Sequence, residues 1–193
     1  MKLHTGKRTL AAALASATLL AGCGSDGGEV AEAPSYEAAL ERASGSLATH
    51  YENGAELIEG GEAAFDERIA SLEGTPIVVN EWGSWCGPCR DEFPYFQSQA
   101  AERLDQVAFL GVDTEDSPDA YETFIRDNPI PYPSVADPDG EFAKWVDTPL
   151  LGVPNTLFFD TEGELVYTHQ GPYASEADLA ADIDKYALGG RSS

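Results

Sequence analysis

The sequence predicts an α/β fold in which a central mixed sheet is flanked by helices. From residue 75 onward, short β-branched or aromatic segments alternate with segments of helical periodicity, as in layered α/β proteins. The last two strand-like segments, 156–160 and 164–169, are joined by Thr161-Glu162-Gly163, which predicts an antiparallel hairpin. Hydrophobic residues make up 42% of the 193 residues, which is enough to form a core.

The first 22 residues are predicted to be a lipoprotein signal peptide that takes no part in the fold. Basic residues precede an apolar stretch over residues 10–20, which is too short for a transmembrane helix of about 20 residues. The stretch ends in Leu20-Ala21-Gly22-Cys23, which resembles the bacterial lipobox. This resemblance implies that Cys23 carries lipid and anchors the protein to the extracytoplasmic face of the cell membrane. The alternative is an ordinary secretory signal with an incidental cysteine.

Residues 23–34 and 35–74 are predicted to be a flexible tether and an N-terminal extension. The tether consists mainly of Gly, Ser, Asp, Glu and Ala, which bury too little apolar surface to fold. In the extension we expect a short helix capped by Ser35 and a second helix over residues 62–73. Residues 47–58 are expected to be irregular or to hold a short strand.

The predicted α/β domain covers residues 75–188. Its predicted strands, rich in β-branched and aromatic residues, are 77–82, 107–112, 132–136, 156–160 and 164–169. One predicted helix follows strand 77–82 through the segment 85–89 and carries Phe93, Phe96 and Leu104. The other predicted helices cover 117–126, 141–147 and 175–187. Acidic residues between positions 113 and 119 lack the spacing of a calcium-binding loop and indicate a solvated helix start.

The formal net charge of −23 excludes one class of partner. Nucleic-acid binding needs clustered Lys and Arg, and this chain has 11 basic against 34 acidic residues. The same charge disfavours electrostatic adhesion to anionic lipid and favours neutral or basic protein partners.

Trp85-Cys86-Gly87-Pro88-Cys89 lies where a predicted strand ends and a helix begins. Cys86 therefore falls at the helix N-terminus, where unpaired N–H groups and the helix dipole favour a thiolate and lower the thiol pKa. Cys89, one turn further along, is placed to attack a mixed disulfide on Cys86. A disulfide that closes so short a loop stabilises little, so the pair indicates chemistry rather than a structural crosslink.

The two residues between the cysteines fit this interpretation. Gly87 allows the backbone of a client protein to approach closely, and Pro88 suits an early helical position. A zinc site is the first alternative for such a pair. Zinc needs three or four ligands, and the sequence has no second Cys pair or Cys/His pair, so no metal is expected.

This motif resembles the signature of the thioredoxin superfamily. Two further positions support the resemblance: Pro94, five residues after Cys89, and Gly152-Val153-Pro154, just before the strand over 156–160. The resemblance implies that the Val153–Pro154 bond is cis and that its loop faces the two cysteines. Val153 and Pro154 would then bind an extended client segment through backbone pairing, beside a contact surface shaped by Trp85.

Within the superfamily the chain resembles the TlpA/ResA-like, AhpC/TSA-type group of exported thioredoxins. The resemblance rests on the run 79–85, on Glu92 followed by Phe93-Pro94, and on an inserted βα unit within 113–149. Glu81 departs from the apolar residue usual in that group. The resemblance implies a thiol–disulfide oxidoreductase that reduces exported client proteins, apocytochromes c among them. It further implies recharging by a membrane thiol carrier, and the Cys86–Cys89 dithiol would serve without another cofactor. We expect a monomer.

Glu92 is the third candidate catalytic residue. It follows Cys89 by three residues, so a role in proton transfer at the dithiol is one interpretation and a solvated surface glutamate is the other. For the whole protein, three other functions stay open: a disulfide-forming oxidase of the same fold, a peroxiredoxin-like peroxidase, and a tethered binding domain without catalysis.

Overall fold

The computed structural model describes residues 1–2 and 34–189. Apart from positions 1, 2 and 34, the predicted signal peptide and tether lie outside the described residues, as does Cys23. In the part that is described, no helix is both long and apolar enough to cross a membrane.

Six strands form one mixed sheet in the order β1-β4-β3-β2-β5-β6. The strands are β1 (Leu57–Ile58), β2 (Ile77–Trp82), β3 (Ala108–Thr114), β4 (Ser134–Asp137), β5 (Asn155–Phe159) and β6 (Leu165–Gln170). The first four strands in the spatial order are parallel, whereas β5 is antiparallel to β2 and β6 is antiparallel to β5. This arrangement confirms the predicted mixed sheet and its terminal hairpin.

Seven helices accompany the sheet in the described residues. They are α1 (Glu37–Leu40), α2 (Ser46–His50), α3 (Gly61–Ser71), α4 (Gly87–Arg103), α5 (Pro118–Asp127), α6 (Phe142–Trp145) and α7 (Glu176–Asp182). A π-helical turn, Ile183–Ala187, continues α7. The start of α5 is as predicted, because the Ser117 side chain accepts a hydrogen bond from the Ala120 N–H and Pro118 fills the first turn.

Aromatic contacts show which helices cover each face of the sheet. On one face, Phe65 of α3 packs against Phe159 of β5 and against Phe142 of α6. On the other face, Trp82 of β2 packs against Phe93 of α4 and Phe124 of α5. Because side chains alternate along a strand, neighbouring residues of β2 point into different layers.

All six residues of β2 are buried. Its β-branched residues Ile77, Val78 and Val79 suit a strand that is covered on both faces. The strand runs in the middle of the sheet and leads directly into the segment that begins α4. This connection places the cysteine motif at the carboxyl end of a central strand, where open α/β sheets commonly bind ligands.

The structure differs from the prediction in the N-terminal extension. Of residues 47–58, expected to be irregular or to hold a short strand, Leu57–Ile58 do form the short strand β1, but residues 47–50 belong to helix α2. The N-cap of α1 is Tyr36 rather than Ser35. Local sequence favours neither outcome strongly. The segment is held by tertiary contacts, since the Nε2 atom of buried His50 is hydrogen-bonded to the Phe109 carbonyl of β3 at 2.7 Å.

The predicted solvated helix start at residues 113–119 is wrong for Asp113. Strand β3 continues to Thr114, two residues beyond the predicted end, and carries Asp113 into the interior with 2% of its surface exposed. The strand extends this far because β2 and β4 both pair with Asp113, through Trp82 and Ala136.

Candidate active site

Cys86 lies at the junction between β2 and the 17-residue helix α4, as its N-cap residue. Its extended backbone (φ −82°, ψ 110°) aims the side chain at the first turn, where Sγ accepts a hydrogen bond from the Cys89 N–H at 3.2 Å. Cys86 and Cys89 are joined by a disulfide with an S–S distance of 1.99 Å. Cys86 is 5% exposed and Cys89 is 1% exposed, so Cys86 is the more accessible sulfur.

The loop before β5 lies beside this pair. The Val153–Pro154 peptide bond is cis, as predicted, and the Val153 carbonyl oxygen is 3.8 Å from Cys86 Sγ. Gly152 has φ +112°, a conformation that favours glycine. The loop thus brings backbone groups next to the more accessible sulfur of the pair.

Trp85 presents an apolar surface at the same place. It is 54% exposed, and its Nε1–H donates a hydrogen bond to the Thr114 carbonyl at 3.0 Å. The indole rests against Gly83, where an added Cβ would lie 2.6 Å from Trp85 Nε1 and 2.9 Å from the Thr114 oxygen. On the proline loop Leu151 is 91% exposed. Two large apolar side chains are therefore exposed on these two segments.

Glu92 is not a solvated surface residue. It is 1% exposed, and its Oε2 accepts a hydrogen bond from the Tyr173 N–H at 2.8 Å. Oε1 has no hydrogen-bond partner among the described residues. Burial raises the pKa of Glu92 to about 7, although the Tyr173 hydrogen bond opposes the rise. A carboxyl group of this kind exchanges its proton near neutral pH.

Asp116 holds the segment that precedes the cysteines, a role that sequence reasoning missed. Its carboxylate accepts hydrogen bonds from the Ser84 N–H at 2.6 Å and from the Ser84 hydroxyl at 2.7 Å. Burial, then the hydrogen bond with Asp116, and then the charges of Asp116 and Asp137 raise the pKa of Asp113 to about 9. The raised pKa favours the neutral form of Asp113 at pH 7, and the Asp116 carboxyl oxygens are the acceptors for both groups of Ser84.

Glu81 and Asn155 form a second buried contact that the sequence did not predict. Glu81 Oε2 accepts a hydrogen bond from Asn155 Nδ2 at 2.5 Å, and the same Nδ2 donates to the Gly152 carbonyl at 2.5 Å. The available signal was the acidic residue inside an otherwise apolar strand segment. Its partner is 74 residues away and could not be identified from spacing.

The structure brings most of the predicted site residues together. The group at the start of α4 and the facing loop consists of Trp85, Cys86, Gly87, Pro88, Cys89, Val153 and Pro154. Gly87 and Pro88 are exposed at the helix start. Glu92 lies one turn beyond Cys89, and its recorded hydrogen bond goes to Tyr173 rather than to a sulfur. Within residues 1–2 and 34–189, no group of three or more His, Cys, Asp or Glu side chains is arranged to hold a metal ion.

Comparison with known proteins identifies relatives of this chain. Residues 62–168 match the AhpC/TSA family. The thiol:disulfide interchange protein HelX of Rhodobacter capsulatus is 33% identical over 67% of this chain and 70% of its own length. The thiol-disulfide oxidoreductase ResA of Bacillus subtilis is 31% identical over 51% of this chain and 54% of its own length.

Solved structures include a DsbF homologue from Corynebacterium diphtheriae with a TM-score of 0.54 and 28% identity. That match covers 61% of this chain and 75% of the other. Several relatives are matched over only 52% to 64% of their length. The family match over residues 62–168 includes strands β2 to β5, the cysteine motif and the proline loop, and the chain spans only part of the length of those relatives.

Proposed function

This chain belongs to the AhpC/TSA family, and from that premise we propose that it is a thiol–disulfide oxidoreductase that reduces disulfides in exported client proteins. One observation carries the proposal. Cys86 Sγ accepts the Cys89 N–H at the start of a long helix and lies 3.8 Å from the carbonyl before a cis proline. This geometry stabilises an attacking thiolate and offers a client backbone a place to bind.

The reaction proceeds in two thiol–disulfide exchanges. The Cys86 thiolate attacks one sulfur of the client disulfide, which forms a Cys86–client disulfide and releases the other client sulfur as a thiolate. Cys89, deprotonated in turn, attacks Cys86 Sγ, which restores the Cys86–Cys89 disulfide and releases the second client thiolate. The client gains two electrons and takes up two protons, and the dithiol loses both.

Client binding is assigned to the proline loop and the apolar residues around it. An extended client segment pairs with the backbone of Val153 in the manner of an added strand. Trp85 and Leu151 contact the apolar side chains of that segment, because both are large and exposed. Gly87 leaves room for the client backbone, since a Cβ at this position would meet no atom within 4 Å.

Glu92 is assigned the proton transfer that accompanies the second exchange. Cys89 is 1% exposed, so water has little access to its thiol. A carboxyl group one turn along the helix, with a pKa of about 7, accepts a proton at neutral pH and returns it. Two observations support this assignment: Glu92 is buried, and its Oε1 has no hydrogen-bond partner among the described residues.

The proposed location and partners are supported by the sequence motif before Cys23 and by the resemblance to exported thioredoxins. Cys23, after a signal peptide over residues 1–22, is the proposed lipid attachment site on the extracytoplasmic face of the cell membrane. A membrane thiol carrier then recharges the Cys86–Cys89 disulfide, and residues 23–34 act as the tether. The protein works as a monomer.

The direction of electron flow is proposed to be reductive rather than oxidative. The names of two similar proteins, an interchange protein and an oxidoreductase, favour thiol–disulfide exchange in either direction over a peroxidase reaction. Gly87 and Pro88 are also the residues between the cysteines of thioredoxin, whose potential is about −270 mV, against about −120 mV for the oxidant DsbA. Equilibration with glutathione is expected to give a reduction potential nearer that of thioredoxin. A reduction potential near that of DsbA would identify an oxidase.

Trapping of clients tests the assignment of the two sulfurs. In cells, Cys89→Ser is expected to accumulate mixed disulfides with exported proteins, because the second exchange cannot occur. Cys86→Ser is the matched control and should accumulate none. These species are counted on non-reducing gels after thiol alkylation. Accumulation in Cys86→Ser instead would reverse the roles, and accumulation in neither variant would remove the proposed function.

A further inference from the structure

Glu81 is a carboxylic acid within the central strand of the sheet, and it is 6% exposed. Burying a carboxyl group is unfavourable unless hydrogen bonds replace its contacts with water. The ion pairs recorded for residues 34–189 do not include Glu81. A hydrogen bond from Asn155 takes the place of water for Glu81. Asn155 lies directly opposite Glu81 in the antiparallel pairing of β2 with β5, so both side chains are on one face of the sheet.

The side-chain amide of Asn155 connects Glu81 to the proline loop. Its Nδ2 donates to Glu81 Oε2 and to the Gly152 carbonyl, both at 2.5 Å. Asn155 is 1% exposed, so neither hydrogen bond competes strongly with water. A rigid central strand thereby fixes the position of Gly152 through a single amide group.

The position of Gly152 matters for the reactive sulfur. Val153 follows it directly and carries the carbonyl oxygen that lies 3.8 Å from Cys86 Sγ. We infer that Glu81 and Asn155 are a positioning pair that holds the Gly152–Pro154 loop against the dithiol and so sets the rate of reaction with peptide disulfides. This inference rests on the proposed function, because it assumes that clients pair with the loop.

The groups that face Glu81 come from three neighbouring strands. Burial raises its pKa to about 7, the hydrogen bond from Asn155 lowers it, Asp137 of β4 raises it by charge repulsion, and the hydroxyl of Thr114 in β3 lowers it. When Glu81 is ionised it is a charged acceptor, and hydrogen bonds to charged acceptors are the stronger kind. The loop is therefore held more firmly above pH 7 than below it.

Two disulfide substrates distinguish an effect on the position of the loop from an effect on the reactivity of Cys86. A disulfide-containing peptide pairs with the loop, whereas 5,5′-dithiobis(2-nitrobenzoate) offers no backbone to it. We expect Glu81→Leu to lower the ratio of the peptide rate constant to the small-disulfide rate constant by about tenfold, and Asn155→Ala to do the same. The double variant should show little further loss, because both changes break one connection. Asp160→Asn, at the other end of β5, is the control and should leave the ratio unchanged.

The pH dependence gives a second readout that damage to the fold would not mimic. In the reduced protein the ratio should rise through about pH 7, since ionisation of Cys86 affects both substrates and cancels. Glu81→Gln, which does not titrate, should remove this rise. Thermal unfolding confirms that each variant is folded.

Three results would overturn the inference. An unchanged ratio in Glu81→Leu excludes a role for this carboxyl group, and additive losses in the double variant show that the two residues act separately. A rise near pH 7 that persists in Glu81→Gln assigns it to another group. If the wild type reacts with neither disulfide, the proposed function itself is wrong, and the inference is lost with it.

Discussion

Glu92 has lost nearly all contact with water and keeps one hydrogen bond, from the Tyr173 N–H. Desolvation dominates over that bond, and the pKa of the carboxyl group rises from 4.5 to about 7. In the unfolded chain the group keeps its ordinary pKa. Between pH 4.5 and 7 the folded protein therefore binds a proton that the unfolded chain does not, and stability falls as the pH rises through this range.

Glu92→Gln should remove this decrease in stability with rising pH, because glutamine does not titrate and its oxygen still accepts the Tyr173 hydrogen bond. Relative to the wild type, the variant is expected to gain about 1 to 3 kcal/mol in free energy of unfolding between about pH 5 and 8. Urea denaturation of the oxidised proteins at several pH values measures this difference. Glu102→Gln, exposed on the same helix, is the control. Parallel stability curves for wild type and Glu92→Gln would contradict the assignment.

At the residue scale, sequence reasoning predicted the conformation where a short motif specifies it. The position of Cys86 at the start of α4 and the cis Val153–Pro154 bond belong to this class. The environments of Glu81 and Asp113 could not be predicted in this way, because each depends on residues that only the folded sheet brings near. A solvated position was expected for Asp113 and was one of two interpretations for Glu92, and the burial of both side chains contradicts it.

Among the elements, the N-terminal extension is integrated into the sheet. Strand β1 pairs with β4 at the sheet edge. Tyr51, just after α2, reaches β3 with a hydroxyl that donates to the Val107 carbonyl at 2.7 Å and accepts from the Phe109 N–H at 2.8 Å. These two backbone groups have no other strand to pair with at that point, so a side chain completes their hydrogen bonding.

Tyr51→Phe is expected to destabilise the protein by about 1 to 3 kcal/mol, because it leaves a buried carbonyl and a buried N–H unpaired. Chemical denaturation measures the loss. Tyr95→Phe is the matched control, since the Tyr95 hydroxyl makes no hydrogen bond recorded in the described part of the chain. Equal stability of wild type and Tyr51→Phe would show that water satisfies both groups.

Elements with a clear sequence pattern were predictable, including the four-residue helix α6 within the predicted range 141–147, whereas helix α2 was not. Strand β2 matches its predicted bounds of 77–82, because consecutive β-branched residues favour a buried strand. Helix α2 has five residues and no side-chain cap, so its sequence carries little local preference. It forms because the core accepts Leu47 and His50, which are both buried.

Across the whole molecule, acidic residues outnumber basic residues by 34 to 11. Such an excess creates a negative potential that attracts cationic partners and repels anionic ones over roughly one Debye length, about 10 Å at 0.1 M salt. The apolar contact surface of Trp85 and Leu151 therefore lies on a negatively charged protein. Charge should influence how fast clients arrive, and the apolar contacts how long they stay.

We expect the rate constant for a lysine-rich peptide disulfide to fall on the order of tenfold between about 10 and 300 mM NaCl. Stopped-flow Trp fluorescence, with the reduced protein in excess, measures the rate. A glutamate-rich peptide of equal length is the control and should react faster as salt rises, because screening weakens repulsion. Equal salt dependence for the two peptides would show that the charge is remote from the site of encounter.

The contact between Trp85 and Gly83 has a consequence for the diversity of clients. The indole lies where any Cβ at position 83 would meet Trp85 Nε1 at 2.6 Å, so only the smallest amino acid permits this orientation. A methyl group there would displace the ring and would also press on the Thr114 carbonyl oxygen at 2.9 Å, so the indole and its backbone support would both have to move. The shape of the rim beside the dithiol, and with it the preference for substrates, can therefore diverge between related proteins through one inconspicuous substitution.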